Sequence, residues 1–335
     1  MIRQSILISL LLLAAGFPVF AIDTPFNFRG ARPMGMGDAF TAIADDENAI
    51  SYNPAGMVRL RTNRLAVYGK LFFYDFIPTS LPENYTNNMA GASVAFNNFG
   101  FQAFYSLLGD DLTVIDGKSI LKSGMKITAA FAYDSGVSIS VGAAANVLAQ
   151  SEGSGGVSFD LGFLYFPNST ISFAIVFKDI ITSGSSLIVD DYGFPRPVNR
   201  PACVNMALSA RPFDKFIMAF EVKNVTEAAG EINIPTSAEA TDSGFLFQFK
   251  RSFHLGLEYT FLDNYTLRAG MFPGEDVEYA GDLTSPEYVP RTGFTAGAGV
   301  KLGFVRVDFA VANDMREVYN IKSPVQVYGS ASAEF

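Results

Sequence analysis

The chain has 335 residues, 49% hydrophobic and only 17% charged, with 24 basic against 33 acidic side chains and a net charge of −9. An ordinary soluble domain carries about a quarter charged residues, so the shortfall points to a surface that faces lipid. The acidic balance excludes a nucleic-acid partner, which needs a basic footprint. A single cysteine, Cys203, and a single histidine, His254, exclude a disulfide framework and a soft-ligand zinc site, and no cofactor is expected.

In chain order, residues 1–21 read as a cleavable export signal. Arg3 is the basic start, Ile6 to Ala15 the apolar run, and Val19-Phe20-Ala21 the cleavage positions. The apolar run is short for a bilayer-spanning helix. Residues 22–63 do not alternate like strands. They contain Gly30-Ala31-Arg32-Pro33-Met34-Gly35-Met36-Gly37-Asp38-Ala39-Phe40, then Tyr52-Asn53-Pro54-Ala55-Gly56-Met57. Gly35 and Gly37 permit close backbone approach, and Asn53-Pro54 favours a turn. A segment of this length ahead of the first strand must pack somewhere, and the lumen of a barrel is the expected place. Asp45-Asp46-Glu47 lacks the spacing of a calcium loop, so no metal site is expected there.

From residue 64 to 335 the dominant pattern has period 2, the signature of a sheet with two different faces. In 170–178, Ile171, Phe173, Ile175 and Phe177 point one way, and Ser172, Ala174, Val176 and Lys178 the other. The second face is rich in Gly, Ala, Ser and Thr, which suits a crowded interior. Expected strands are 64–73, 88–97, 99–107, 125–134, 136–147, 157–166, 169–178, 201–211, 214–224, 244–262, 265–273, 292–302, 304–312 and 324–335. Taking 244–262 as one long strand gives an even count of about 14, with short and long connections in alternation, as outer-membrane barrels require. Both chain ends then lie on the periplasmic side. Phe335 is placed where barrel-assembly machinery reads a terminal aromatic residue. The expected fold is thus an all-β transmembrane antiparallel β-barrel, 64–335, embedded among outer-membrane lipids, with an N-terminal plug, 22–63.

A site for a fatty acid needs apolar surface and a cation. Phe73, Phe76 and Leu107 are candidates in the outer loops, and Arg268 and Arg306 in the lumen. Other expected lumen charges are Lys70, Lys126, Asp134, Asp160, Lys178, Arg211, Glu221, Glu258, Lys301 and Asp308, whose mixed signs point to salt bridges with the plug. His254 lies on the small-residue face. Glu258, four residues along the same face, is about 13 Å away, too far for a direct bond. A lumen histidine in a polar network is expected, and no enzyme.

The run G-A-R-P-M-G-M-G-D-A-F-T-A-I-A-D-D followed by Y-N-P-A-G-M resembles the hatch segment of FadL-type outer-membrane proteins. That group includes long-chain fatty-acid transporters and the PorV shuttle of type IX secretion. The resemblance implies a 14-stranded barrel with a lumenal hatch. It also implies diffusion of hydrophobic small molecules such as fatty acids past that hatch, and a lateral opening in the wall. Gly35, Gly37, Asn53, Pro54 and Ala55 carry over as hatch and gating residues. The chain is shorter than the fatty-acid transporters, and the PorV-like alternative is a scaffold that docks an exported protein on its outer loops.

Overall fold

The protein is described from a computed structural model covering residues 30–73, 87–108, 114–115, 118–119, 124–150, 155–180, 182–184, 186–189, 195–198, 202–226, 229–234, 243–248, 251–274, 291–313 and 325–335. The expected export signal and Phe76 lie outside the described residues, and at Phe73 and Leu107 only the backbone is described.

Fourteen antiparallel strands follow one another around a closed barrel. They are β1 Arg64–Phe73, β2 Asn87–Phe96, β3 Phe99–Leu108, β4 Gly124–Asp134, β5 Ile139–Gln150, β6 Gly155–Tyr165 and β7 Ile171–Lys178. The second half comprises β8 Cys203–Ala210, β9 Phe216–Lys223, β10 Ser252–Phe261, β11 Tyr265–Gly274, β12 Arg291–Leu302, β13 Val305–Asn313 and β14 Val325–Glu334. The first and last strands close the circle in an unbroken ladder from Arg64↔Glu334 to Phe73↔Val325. Closure leaves no unpaired edge at that junction, which a water-free bilayer demands.

The alternation read from the sequence is the alternation of the wall. Leu65, Val67 and Leu71 stand exposed on the outer face of β1, while Ala66 and Tyr68 between them are buried inside. Leu255, Tyr259, Leu267, Val307 and Phe309 continue the same outward apolar surface on β10, β11 and β13. Tight turns fit their residues: Asn97 between β2 and β3 and Gly303 between β12 and β13 both have positive φ (50° and 63°), the conformation that short hairpin turns require. Phe335 is exposed at this end, its ring edge-on to Phe96 at 6.3 Å.

The expected long strand over 244–262 is corrected. The barrel strand is 252–261, and Ser243–Gln248 pairs instead with Ala229–Ile234 in a separate hairpin. A tilted strand crosses the bilayer in about 9–11 residues, so a 19-residue strand would overrun the wall. The count of fourteen survives. Asp134 and Lys301, expected in the lumen, are exposed near the turn end, where Lys301 Nζ meets Glu334 at 3.2 Å.

The hydrophobic core lies inside the barrel and is shared between residues 30–60 and the inward faces of the strands. Two short helices, α1 Ala31–Gly35 and α2 Ala49–Tyr52, and a 3-10 turn Pro54–Arg59 pack against inward faces on opposite parts of the wall. Met34, Met36, Phe40, Ile43, Ile50 and Met57 have no exposure at all.

A plugged lumen as the candidate functional site

Two glycine-lined sockets seat the plug. At the first, Gly37 turns with φ +63°, and a Cβ there would lie 2.5 Å from Leu255 O and 2.6 Å from Met271 N. The wall answers with its own glycines. A side chain on Gly256 would strike Met36, one on Gly270 would strike Gly37, and one on Gly297 would lie 2.9 Å from the Gly35 Cα. Glycine in a strand is otherwise a loss of packing, and here it admits another backbone. Thr295 Oγ1 accepts from Gly37 N at 2.9 Å and donates to Gly35 O at 3.2 Å. His254 Nδ1 donates to Gly37 O at 2.8 Å, and its Nε2 meets Ser252 Oγ at 3.0 Å. The only histidine is therefore part of the plug's seat.

At the second socket, the Asn53 side chain accepts from Ala55 N at 3.1 Å and donates to Thr41 O at 3.0 Å, tying the two parts of the plug together. Side chains at Gly142 or Gly162 would collide with Asn53, Pro54 or Ala55. Ser140 Oγ donates to Ala55 O at 2.9 Å. Nearby, Arg59 donates to Ile43 O at 2.7 Å and to Ser172 Oγ at 2.6 Å.

Between the sockets lies an ionic hub. Arg32 on α1 forks onto Glu258 of β10 through Nε and Nη2, both at 2.8 Å. Its Nη1 also reaches Asp45 at 2.6 Å and Asp46 at 2.8 Å. Burial works against the Arg32 charge, but Asp45, Glu258 and Asp46 outweigh it and hold the guanidinium firmly protonated. Arg211 caps Asp45 at 2.9 Å. Asp45 and Asp46 are thus the counter-charge for Arg32 and Arg211. On the opposite flank, Lys223 and the Tyr52 hydroxyl both bond Asp38. Glu221 accepts from Phe40 N and Thr41 N, each at 3.0 Å, and from Thr41 Oγ1 at 2.6 Å.

Arg268 and Arg306, expected as carboxylate partners for a ligand, face carboxylates of the wall. Arg268 Nε donates to Glu258 at 2.7 Å, and its Nη1 lies 2.8 Å from Asp308. Arg306 Nε lies 2.8 Å from the other Asp308 oxygen. The expected hatch residues Gly35, Gly37, Asn53, Pro54 and Ala55 all fall at the two sockets. Sequence reading missed Arg32 as a hub and the wall glycines as sockets. The usable signal was glycine recurring on the lumen face of strands that are otherwise well packed.

Against the plug the wall presents an apolar group set among polar neighbours, with Lys126 beside Phe104 and Leu148 and Ser106 beside Met89. Tyr68, Met89, Phe104 and Leu148 project inward and join Met36, Phe40, Ile43 and Tyr52 in one buried cluster. Phe40 and Tyr52 meet edge to face at 5.5 Å.

A closed fourteen-strand barrel with an apolar outer face and a self-filled lumen is an integral outer-membrane β-barrel. Its architecture is FadL-like. The Ralstonia pickettii toluene transporter TbuX superposes with a TM-score of 0.61 at 13% identity, covering 92% of this chain and 99% of that one. The Pseudomonas putida toluene transporter TodX gives 0.60 at 14%, covering 94% and 99%. A Pseudomonas aeruginosa FadL homologue gives 0.56 at 11%, covering 95% and 100%. No family model and no curated protein sequence matches the chain.

Proposed function

We propose that this barrel carries long-chain fatty acids or similar hydrophobic molecules across the outer membrane by diffusion, and that residues 22–63 act as the hatch that must shift to let them pass. The observation that carries this reading is the inward-facing apolar group Tyr68, Met89, Phe104 and Leu148. A water-filled porin lines its lumen with polar residues, whereas this group, covered by Met36, Phe40, Ile43 and Tyr52 of the plug, would give an apolar solute a surface once the plug shifts. Phe73, Phe76 and Leu107 are assigned to outer capture of the same molecules.

A step in the wall supports release sideways. Phe177 pairs with Leu161, but Thr182 pairs with Ser158, so two extra residues bulge from the end of β7. Asp179 there has φ +53° and its N–H is held by Asp160 at 2.9 Å. The ladder to β8 ends at Lys178↔Cys203, and among the described residues Thr182–Gly184 pairs only with β6. Such a bulge re-aims a strand and ends its pairing.

The test is extraction of the protein from its own membrane in mild detergent, with mass spectrometry of what is bound. A stoichiometric fatty acid or other apolar molecule, absent from a control barrel, is the expected result. Bulk phospholipid alone, with no uptake of labelled fatty acid into proteoliposomes, overturns the reading.

A further inference from the structure

Glu47 and Asp46 are adjacent buried carboxyls in the turn that leads into α2, and their surroundings differ. Asp46 is fully engaged. One oxygen meets Arg32 at 2.8 Å, and the other accepts from Asn48 N at 2.9 Å and Asn48 Nδ2 at 2.8 Å. Among the described residues Glu47 is in ion-pair contact with one cation, Arg64 of β1, at the longer distance of 3.3 Å. Arg64 is shared: its Nη2 holds Glu334 of β14 at 2.8 Å, and Glu334 in turn meets Lys301. Arg306 from β13 and the Tyr68 hydroxyl from β1, itself bonded to Ser93 at 2.7 Å, also act on this corner. Where residues 45–52 meet the closing junction of the barrel, the contact thus includes a buried carboxyl with a single, longer ion pair among the described residues.

We propose that Glu47 is a proton-dependent latch: its neutral carboxyl seats residues 45–52 of the plug against β1 and β14, and its ionisation draws water into that contact and loosens the plug there. The inference rests on the hatch reading for its consequence in transport, but not for its test. Burial, then the charge of Asp46, raise the Glu47 pKa from 4.5 to about 7, with Arg64 and Arg306 opposing. Asp46 moves the other way: burial opposes its charge, but Arg32 prevails and lowers its pKa. A seated Glu47 therefore binds its proton more tightly than a released one. The favourable contribution is fully present below about pH 4.5 and is lost as pH rises through about 7. Acid seals the plug at this corner and mild alkali relaxes it.

Hydrogen exchange on the intact protein in nanodiscs reads this directly. Corrected for the intrinsic rate, amides of residues 45–52 should exchange roughly tenfold faster at about pH 8 than at about pH 6. In Glu47→Gln the profile should be flat and slow. Glu334→Gln leaves Arg64 wholly to Glu47, so the midpoint should fall by about one pH unit. A purely structural role for Glu47 would not move that midpoint. A flat profile in the native protein, the same profile in Glu47→Gln, or an unmoved midpoint in Glu334→Gln overturns the latch. Those results would leave the transport reading standing. Absent uptake with a pH-dependent profile would do the reverse.

Discussion

Arg32 and Glu258 are joined by two parallel hydrogen bonds of 2.8 Å, although they lie 226 residues apart and belong to the plug and the wall. Forked guanidinium–carboxylate pairing is the strong form of the ion pair, and here it fixes the orientation of α1 inside the barrel. Both side chains are almost wholly buried, and each also has further counter-charges, Asp45 and Asp46 for Arg32 and Arg268 for Glu258.

Arg32→Met alone and Glu258→Gln alone should each cost about 3–5 kcal/mol, because each removes one charge from a buried network and leaves the others out of balance. The double variant should cost less than the two losses added, with a coupling of about 1–3 kcal/mol. Urea or thermal unfolding in detergent measures all three. Strict additivity would mean the pair does not hold the plug.

The sockets predict a different phenotype. Gly142→Val and Gly270→Val put a side chain where Ala55 and Gly37 now lie. Overpacking of this kind costs about 1–3 kcal/mol, and here the displaced element is the plug. The barrel should still fold, judged by heat-modifiable migration on gels, while planar-bilayer conductance should appear that the native protein lacks. A closed channel in both variants would show that the plug can reseat.

Asn53→Ala removes the bond to Ala55 N and the tie to Thr41 O. Loss of an Asn cap costs about 1 kcal/mol and a lost hydrogen bond a similar amount, so the change should be milder than at the glycines. The expected outcome is a modest loss of stability, with slower fatty-acid uptake in proteoliposomes. Unchanged uptake in this folded variant would argue against a gating role for the turn.

Phe104→Ser tests the apolar lumen. Burying a phenylalanine is worth about 1.5–3 kcal/mol, so removing this one should weaken binding of a labelled fatty acid by about tenfold or more. Titration of the folded variant in detergent measures it. An equal affinity would place the binding surface elsewhere.

Much of this architecture is legible in the sequence because a barrel wall obeys a local rule. The two-residue period of Ile171–Lys178 states which side chains face lipid whatever lies across the barrel. Parity then brings the count to fourteen even where 244–262 is misjudged. The plug was legible as a segment with Gly35, Gly37 and Asn53-Pro54 in order, since those residues mark unusual backbone. What each of them touches was not legible. Arg268 and Arg306 look like free cations in a strand, and only the fold brings Glu258 and Asp308 beside them.

Composition and alternation alone specify an acidic, lipid-facing, even-stranded sheet with a non-strand segment ahead of it, because both are properties of neighbours along the chain. Only folding places residues 30–60 of that segment inside the barrel and makes Gly256, Gly270, Gly142 and Gly162 their sockets. It also decides that Arg32 finds Glu258, and that Glu47 shares Arg64 with the last strand. Apart from Glu47 and Arg64, 17 positions apart, those contacts join residues far apart in the chain, up to 270 positions for Arg64 and Glu334, and no local period encodes which inward face a plug residue will meet once the barrel has closed.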